Sequence, residues 1–218
     1  MSSRRKVVCL GDSITQQGHD AGGWLGNLQS KYQRSIDIVN RGFSGYNTTW
    51  LLSILNKLGR DFEHADYVFI MMGANDAATD TQTVDIPLFK ENLEKIANKV
   101  KLAGARNVVL IETPWVSASE WLKFCQEKYP DENHKVSNRN SDRAAEYAKA
   151  VKEVAEKLEI PLIPLYEKMA AEANPAALLS DGLHFSAAGN KILSDLVEPF
   201  LDPIDETQCP EWRDFVVA

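Results

Sequence analysis

Four short polar segments, each punctuated by glycine, carry residue types suited to nucleophilic attack on a carbonyl. They are Gly11-Asp12-Ser13-Ile14-Thr15, Gly42-Phe43-Ser44-Gly45-Tyr46-Asn47-Thr48, Gly73-Ala74-Asn75-Asp76 and Asp181-Gly182-Leu183-His184. An oxygen nucleophile needs a base within hydrogen-bond reach, an acid to orient that base, and N–H donors for the oxyanion that forms. Ser13 supplies the hydroxyl. Asp181 and His184 are three residues apart, so one turn of chain can bring the carboxylate against the imidazole. Asn75 offers a side-chain N–H, and Gly45 offers a backbone N–H that a ligand atom can approach closely. The Ser13 backbone N–H completes the donors. The chemistry would be acyl transfer to Ser13, with His184 as base and Asp181 fixing its tautomer.

Taken singly, these residues have plainer fates. Asp12-Ser13 after a strand is more often a helix cap, and Asn75-Asp76 is usually a turn or an N-cap. A lone histidine is more often a satisfied surface or core residue, and a lone Gly45 says only that a turn is tight. The weight lies in their order and placement.

Placement depends on the elements between them. Short apolar runs at 6–10, 36–40, 67–72, 107–111 and 160–165 read as buried parallel strands. Between them apolar residues recur at helical spacing: Leu51, Ile54, Leu55 and Leu58 before Gly59, then Phe89, Leu93, Ile96 and Val100 after Pro87. Ala144, Tyr147, Ala148, Val151, Val154, Ala155 and Leu158 form a longer stripe, and a last helix is expected over 187–200. This alternation predicts an α/β fold, a five-stranded, mostly parallel sheet with helices on both faces. Ligands of such sheets bind beyond the carboxyl ends of the strands. The polar segments follow the first, second, third and fifth strands, so all four would converge on one end of the sheet.

No repeat or low-complexity linker divides the 218 residues, so a single domain over 1–218 is expected. Segments 113–141 and 202–218 exceed normal loop lengths. Trp115, Trp121, Phe124 and Tyr129 of the first would either line a pocket or anchor an Ω-like loop. Trp212, Phe215, Val216 and Val217 make the tail unusually apolar. It would pack on its own domain, or cover apolar surface near the site or on a second subunit, making a homodimer.

A net charge of −7 supplies no basic patch for nucleic acid. Cys9, Cys125 and Cys209 form no CxxC pair, which fits reduced intracellular thiols, and Cys9 would pack inertly inside the first strand. The apolar run behind Arg4-Arg5-Lys6 is too short for a secretory signal, and no stretch could span a membrane. A cytoplasmic protein is therefore expected. Ser44 is no nucleophile elbow, because Tyr46 stands where GxSxG needs glycine. Neither a P-loop nor a GxGxxG is present. His19, His64 and His134 lack zinc-site spacing and read as surface residues; neither a metal nor a cofactor is expected.

Together the motifs resemble those of the SGNH hydrolases, the GDSL esterase/lipase superfamily, whose four name residues would here be Ser13, Gly45, Asn75 and His184. Residues 40–48 followed by Trp50, Gly22-Gly23-Trp24, and Ser180-Asp181-Gly182-Leu183-His184-Phe185-Ser186 look like blocks of the isoamyl acetate-hydrolysing esterases. Glu211-Trp212-Arg213-Asp214-Phe215 is similar to the ends of fungal members. The likeness runs from about residue 6 to 200, is weakest over 113–141, and has no departure at a motif position. It implies a three-layer α/β/α sandwich of the flavodoxin-like SGNH type and hydrolysis of short-chain neutral esters such as alkyl acetates. The alternatives are a thioesterase, lysophospholipase or carbohydrate deacetylase, or a flavodoxin-like binding protein whose Ser13–Thr15 turn cradles a phosphate.

Overall fold

Alternate residues of each strand are buried on opposite sides, so both faces of the sheet need covering. In the computed structural model, which describes residues 4–132 and 134–204, β1 (Arg5–Gly11) leads into one helical turn, α1 (Ser13–Gln16), and then α2 (Trp24–Lys31). β2 (Ile36–Gly42) is followed by α3 (Thr48–Ile54) and the short α4 (Gly59–Phe62), and β3 (Tyr67–Met71) by the long α5 (Ile86–Leu102). After β4 (Val108–Ile111) come α6 (Ala118–Lys128) and α7 (Ser141–Leu158). β5 (Leu162–Ile163) precedes α8 (Leu165–Ala170) and α9 (Ala187–Leu201).

Among the described residues the five strands pair in parallel, in the order β2-β1-β3-β4-β5, the flavodoxin-like order. Val7, Cys9, Phe69, Met71, Val109 and Ile111 face one core with Trp24, Leu28, Leu193 and Val197 of α2 and α9. Val8, Leu10, Val68, Ile70, Val108 and Leu110 face the other, with Leu51, Phe89, Leu93, Tyr147 and Val151 of α3, α5 and α7. The expected three layers are present. Cys9 is inside the first core, where burial pushes its thiol well above the ordinary range.

Two expectations change. Segment 113–141 is not one long loop, because α6 occupies its middle. Ser117 caps that helix by accepting from the Glu120 backbone N–H at 3.4 Å, a Ser-x-x-Glu start signal. The strand expected over 160–165 contracts to two residues because Pro161 and Pro164 flank it and cannot donate to a ladder. Among the described residues no helix is long and apolar enough to cross a membrane. Asp202, where the tail begins, accepts from the Tyr32 hydroxyl at 2.5 Å. The expectations for Trp212, Phe215, Val216, Val217 and Cys209 lie outside the described residues.

Register brings the functional segments level. Gly11 at the end of β1 pairs with Gly42 of β2 and Met71 of β3, and the Phe43 N–H donates to Gly11 O at 2.9 Å. The chain reverses its winding between β1 and β3. The Ser13 turn stands at this topological switch point, flanked by the turns carrying Gly45 and Asn75.

Candidate active site

The helix cap expected of Asp12-Ser13 is present, and it does not occupy the Ser13 hydroxyl. Asp12 caps α1, its carboxylate accepting from the Ile14 N–H at 3.0 Å. Ser13, the first helical residue, is left with its hydroxyl toward His184: Ser13 Oγ lies 2.9 Å from His184 Nε2. On the far side of the ring, His184 Nδ1 is 2.7 Å from Asp181 Oδ2. The other oxygen, Oδ1, accepts from the backbone N–H groups of Leu183 at 2.9 Å and His184 at 2.8 Å. The same carboxylate therefore folds the turn and orients the ring.

That turn needs its glycine. Gly182 has φ +92°, and a Cβ there would lie 2.2 Å from Trp121 N, while its carbonyl accepts from the Ser117 N–H at 2.8 Å. The start of α6 is thus a wall behind the Asp181–His184 turn. Trp121 meets the His184 ring edge-on with centroids 6.0 Å apart, and stacks on Phe124 at 5.4 Å. Its indole N–H donates to Asn138 Oδ1 at 2.7 Å. Trp121 therefore both borders the site and anchors its own segment. Trp115 packs on the core and Tyr129 is exposed, so the aromatic residues of 113–141 divide between roles.

Oxyanion donors must be N–H groups the fold leaves unused. Gly45 sits in a turn with φ +79°, a left-handed conformation suited to glycine. The neighbouring Ser44 N–H donates to Gln16 Oε1 at 2.8 Å and the Tyr46 N–H to Phe43 O at 3.1 Å. Among the described residues, nothing accepts from the Gly45 or Ser13 backbone N–H. Asn75 is buried, and its Nδ2 donates to Tyr46 O at 2.9 Å. An amide nitrogen has two N–H groups, so one remains for a ligand.

The charges are uneven. Burial pushes the Asp181 carboxyl up, but the hydrogen bonds from the His184 ring and the two backbone donors outweigh it and hold it below the ordinary range. Asp181 is thereby kept ionised beside the imidazole. Burial dominates at Asp12, raised to about 6, and at Asp76, raised to about 7. Asp76 Oδ1 accepts from Thr48 N at 2.9 Å and Thr48 Oγ1 at 2.6 Å, while its Oδ2 is buried without a partner among the described residues. Both carboxyls are buried, and the charge of Asp12 adds to the upward push on Asp76.

All the expected site residues, Ser13, Gly45, Asn75, Asp181 and His184, stand at the same end of the sheet, with Ser13, His184 and Asp181 in one hydrogen-bonded chain. His19 and His64 are exposed as expected, whereas His134 is half-buried against Glu132 at 3.0 Å. Sequence reasoning named Trp121, as pocket lining or loop anchor, but missed Gln82 and Arg139. Arg139 carries no local signal, since Ser137-Asn138-Arg139-Asn140 reads as solvated loop, yet it is 5% exposed.

The chain resembles known proteins over most of its length. The GDSL-like lipase/acylhydrolase family model matches residues 9–192. A GDSL esterase/lipase of Arabidopsis thaliana is 34% identical over 208 residues, covering 89% of this chain and 84% of its own. The isoamyl acetate-hydrolyzing esterase 1 homolog of Rattus norvegicus is 33% identical over 222 residues, covering 96% of this chain and 87% of its own. Among solved structures, a lipase/acylhydrolase from Enterococcus faecalis superposes with a TM-score of 0.71 at 27% identity, covering 91% of this chain and 96% of that one.

Proposed function

The chain belongs to the GDSL-like lipase/acylhydrolase family and is a serine esterase; from that premise we propose that it hydrolyses short-chain neutral carboxylic esters, such as isoamyl acetate, through an acyl-Ser13 intermediate. The observation that carries the mechanism is the chain Ser13 Oγ–His184 Nε2–His184 Nδ1–Asp181 Oδ2, with links of 2.9 and 2.7 Å. The substrate class is supported by relatives named for isoamyl acetate hydrolysis.

Neutral His184 takes the Ser13 proton at Nε2 as Oγ bonds to the ester carbonyl carbon. The carbonyl oxygen becomes an oxyanion that accepts from the Ser13 and Gly45 backbone N–H groups and from Asn75 Nδ2. Asp181 keeps the other ring proton on Nδ1 and stabilises the imidazolium. Collapse breaks the C–O bond to the alcohol, which leaves with the proton from Nε2. Water, deprotonated by His184, then attacks the acyl-serine. The resulting tetrahedral species expels Ser13, which regains its proton, and the carboxylic acid departs.

The test is hydrolysis of acetate, butyrate and octanoate esters of the same alcohols by wild-type protein and Ser13→Ala. Activity highest on acetates, an initial burst of alcohol release where deacylation is the slower step, and loss of both in Ser13→Ala are expected. Wild-type turnover by Ser13→Ala would overturn the mechanism, and a preference for octanoate would overturn the substrate class.

A further inference from the structure

Arg139 is a charge in a place where charge is costly. Its side chain is 5% exposed, and its Nε is buried with no partner among the described residues. A cation so far from water is unfavourable unless its donors are used, and an apolar residue would fill the space at lower cost. Its fixed donors explain where it stands. Nη2 donates to Asn75 Oδ1 at 3.1 Å and to Gln82 Oε1 at 2.8 Å. Gln82 Nε2 then donates to Gly45 O at 2.8 Å. A single guanidinium nitrogen thus reaches two of the three oxyanion donors, Asn75 directly and the Gly45 turn through one amide.

We propose that Arg139 is a positioning residue for the oxyanion donors, orienting the Asn75 amide directly and the Gly45 turn through Gln82. The reasoning is one of donor sign. A guanidinium has five N–H groups and no acceptor, so any amide facing it must present its oxygen. Asn75 therefore cannot flip: Oδ1 faces Arg139, and Nδ2 must face Tyr46 O and the space beside Ser13. The same constraint turns the Gln82 oxygen toward Arg139 and its nitrogen toward Gly45 O. Arg139 is itself held from several sides. Its Nη1 is 3.8 Å from Asp80 Oδ2, its guanidinium lies 5.7 Å from the Trp121 ring centre, and the Thr79 N–H donates to Asn138 O at 3.1 Å. Arg139 also draws electron density from Asn75 through the bond to Oδ1, strengthening Nδ2–H as a donor to a forming negative charge.

The inference rests on the proposed roles of Ser13 and Asn75, and the test separates the two ideas. Arg139→Met, Asn75→Ala, the double variant and Ser13→Ala are assayed on one ester, with folding checked by circular dichroism. Arg139→Met is expected to lower kcat about tenfold or more, short of the about 10²–10³ for deleting a donor outright, with KM nearly unchanged. In the Asn75→Ala background the same change should cost less than about threefold, because the group it orients directly is gone and only the arm through Gln82 remains. An equal loss in both backgrounds, or a loss confined to KM, overturns the proposal. If Arg139→Met does not fold, Gln82→Met decides through the second arm: a lowered kcat with KM unchanged supports the clamp, and an unchanged kcat overturns it. Ser13→Ala with full activity would instead discard the site assignment itself.

Discussion

Asp181 and His184 lie three residues apart and orient each other within one turn, whereas Asn75 and Gly45 come from different strands and meet through Arg139 and Gln82, 64 and 37 positions away. The proposed acid–base half of the site is local. One carboxylate satisfies two backbone donors and the ring, so the motif carries its own geometry wherever the turn is placed. The oxyanion half is assembled by docking. Its donors depend on a loop between α6 and α7 lying correctly against the turn after β3. A short motif can therefore encode acid–base chemistry, while donor placement depends on the whole upper edge of the sheet.

The largest effect should come from breaking the local half. His184→Ala should lower kcat/KM by about 10⁴ or more, and Asp181→Asn by about 10⁴ because the imidazole tautomer is lost, both without unfolding. Ester assays on folded protein check this, and an Asp181→Asn variant within tenfold of wild type would show that the turn does not need the charge. Asn75→Ala should cost about 10²–10³ in kcat, the loss for one of three donors. A cost as large as that of His184→Ala would mean that the two halves are not separable.

Gly182→Ala tests whether the local half is independent of its wall. With φ +92° and a Cβ 2.2 Å from Trp121 N, alanine should destabilise the fold by about 1–3 kcal/mol and lower kcat by displacing His184. Thermal melts and kinetics on the same sample measure both, and an unchanged melting temperature would show that α6 yields freely.

The smallest effect concerns the buried carboxyl of Asp76. Burial raises Asp76 to about 7, so the folded chain binds its proton more tightly than the unfolded chain does. The stability this adds is fully present below the ordinary aspartate value of about 4 and is lost as pH rises through about 7. Asp76→Asn cannot titrate. Its melting temperature relative to wild type should therefore be higher at pH 8 than at pH 5, and an equal difference at both pH values would remove Asp76 from the pH dependence.

Much of this arrangement is written locally. Period-two burial separates Val7 and Cys9 from Val8 and Leu10, so the strands announce that both faces are covered. Glycine at 45 and 182 matches backbone conformations that side chains resist. The Asp181–His184 spacing and the Asp12 cap are short-range hydrogen-bond geometries, readable from residues two or three apart. The α6 helix was also readable, through Ser117 and Glu120, within the segment expected as a long loop.

What the amino-acid sequence determined by itself is therefore the layered α/β frame, the strand ends where the polar segments gather, and the choice of Ser13, Asp181 and His184 as the proposed triad. The tertiary structure alone decided what stands behind them: Trp121 against the imidazole, Asp76 buried with an unpartnered oxygen, and Arg139 between two amides. The physical reason is range. Periodicity and turn chemistry act over a few residues, and they say that a residue is buried or capped without saying what it faces. Arginine is a surface residue by type, and only the docking of the 134–140 loop onto the turn after β3 removes Arg139 from water and gives its donors acceptors.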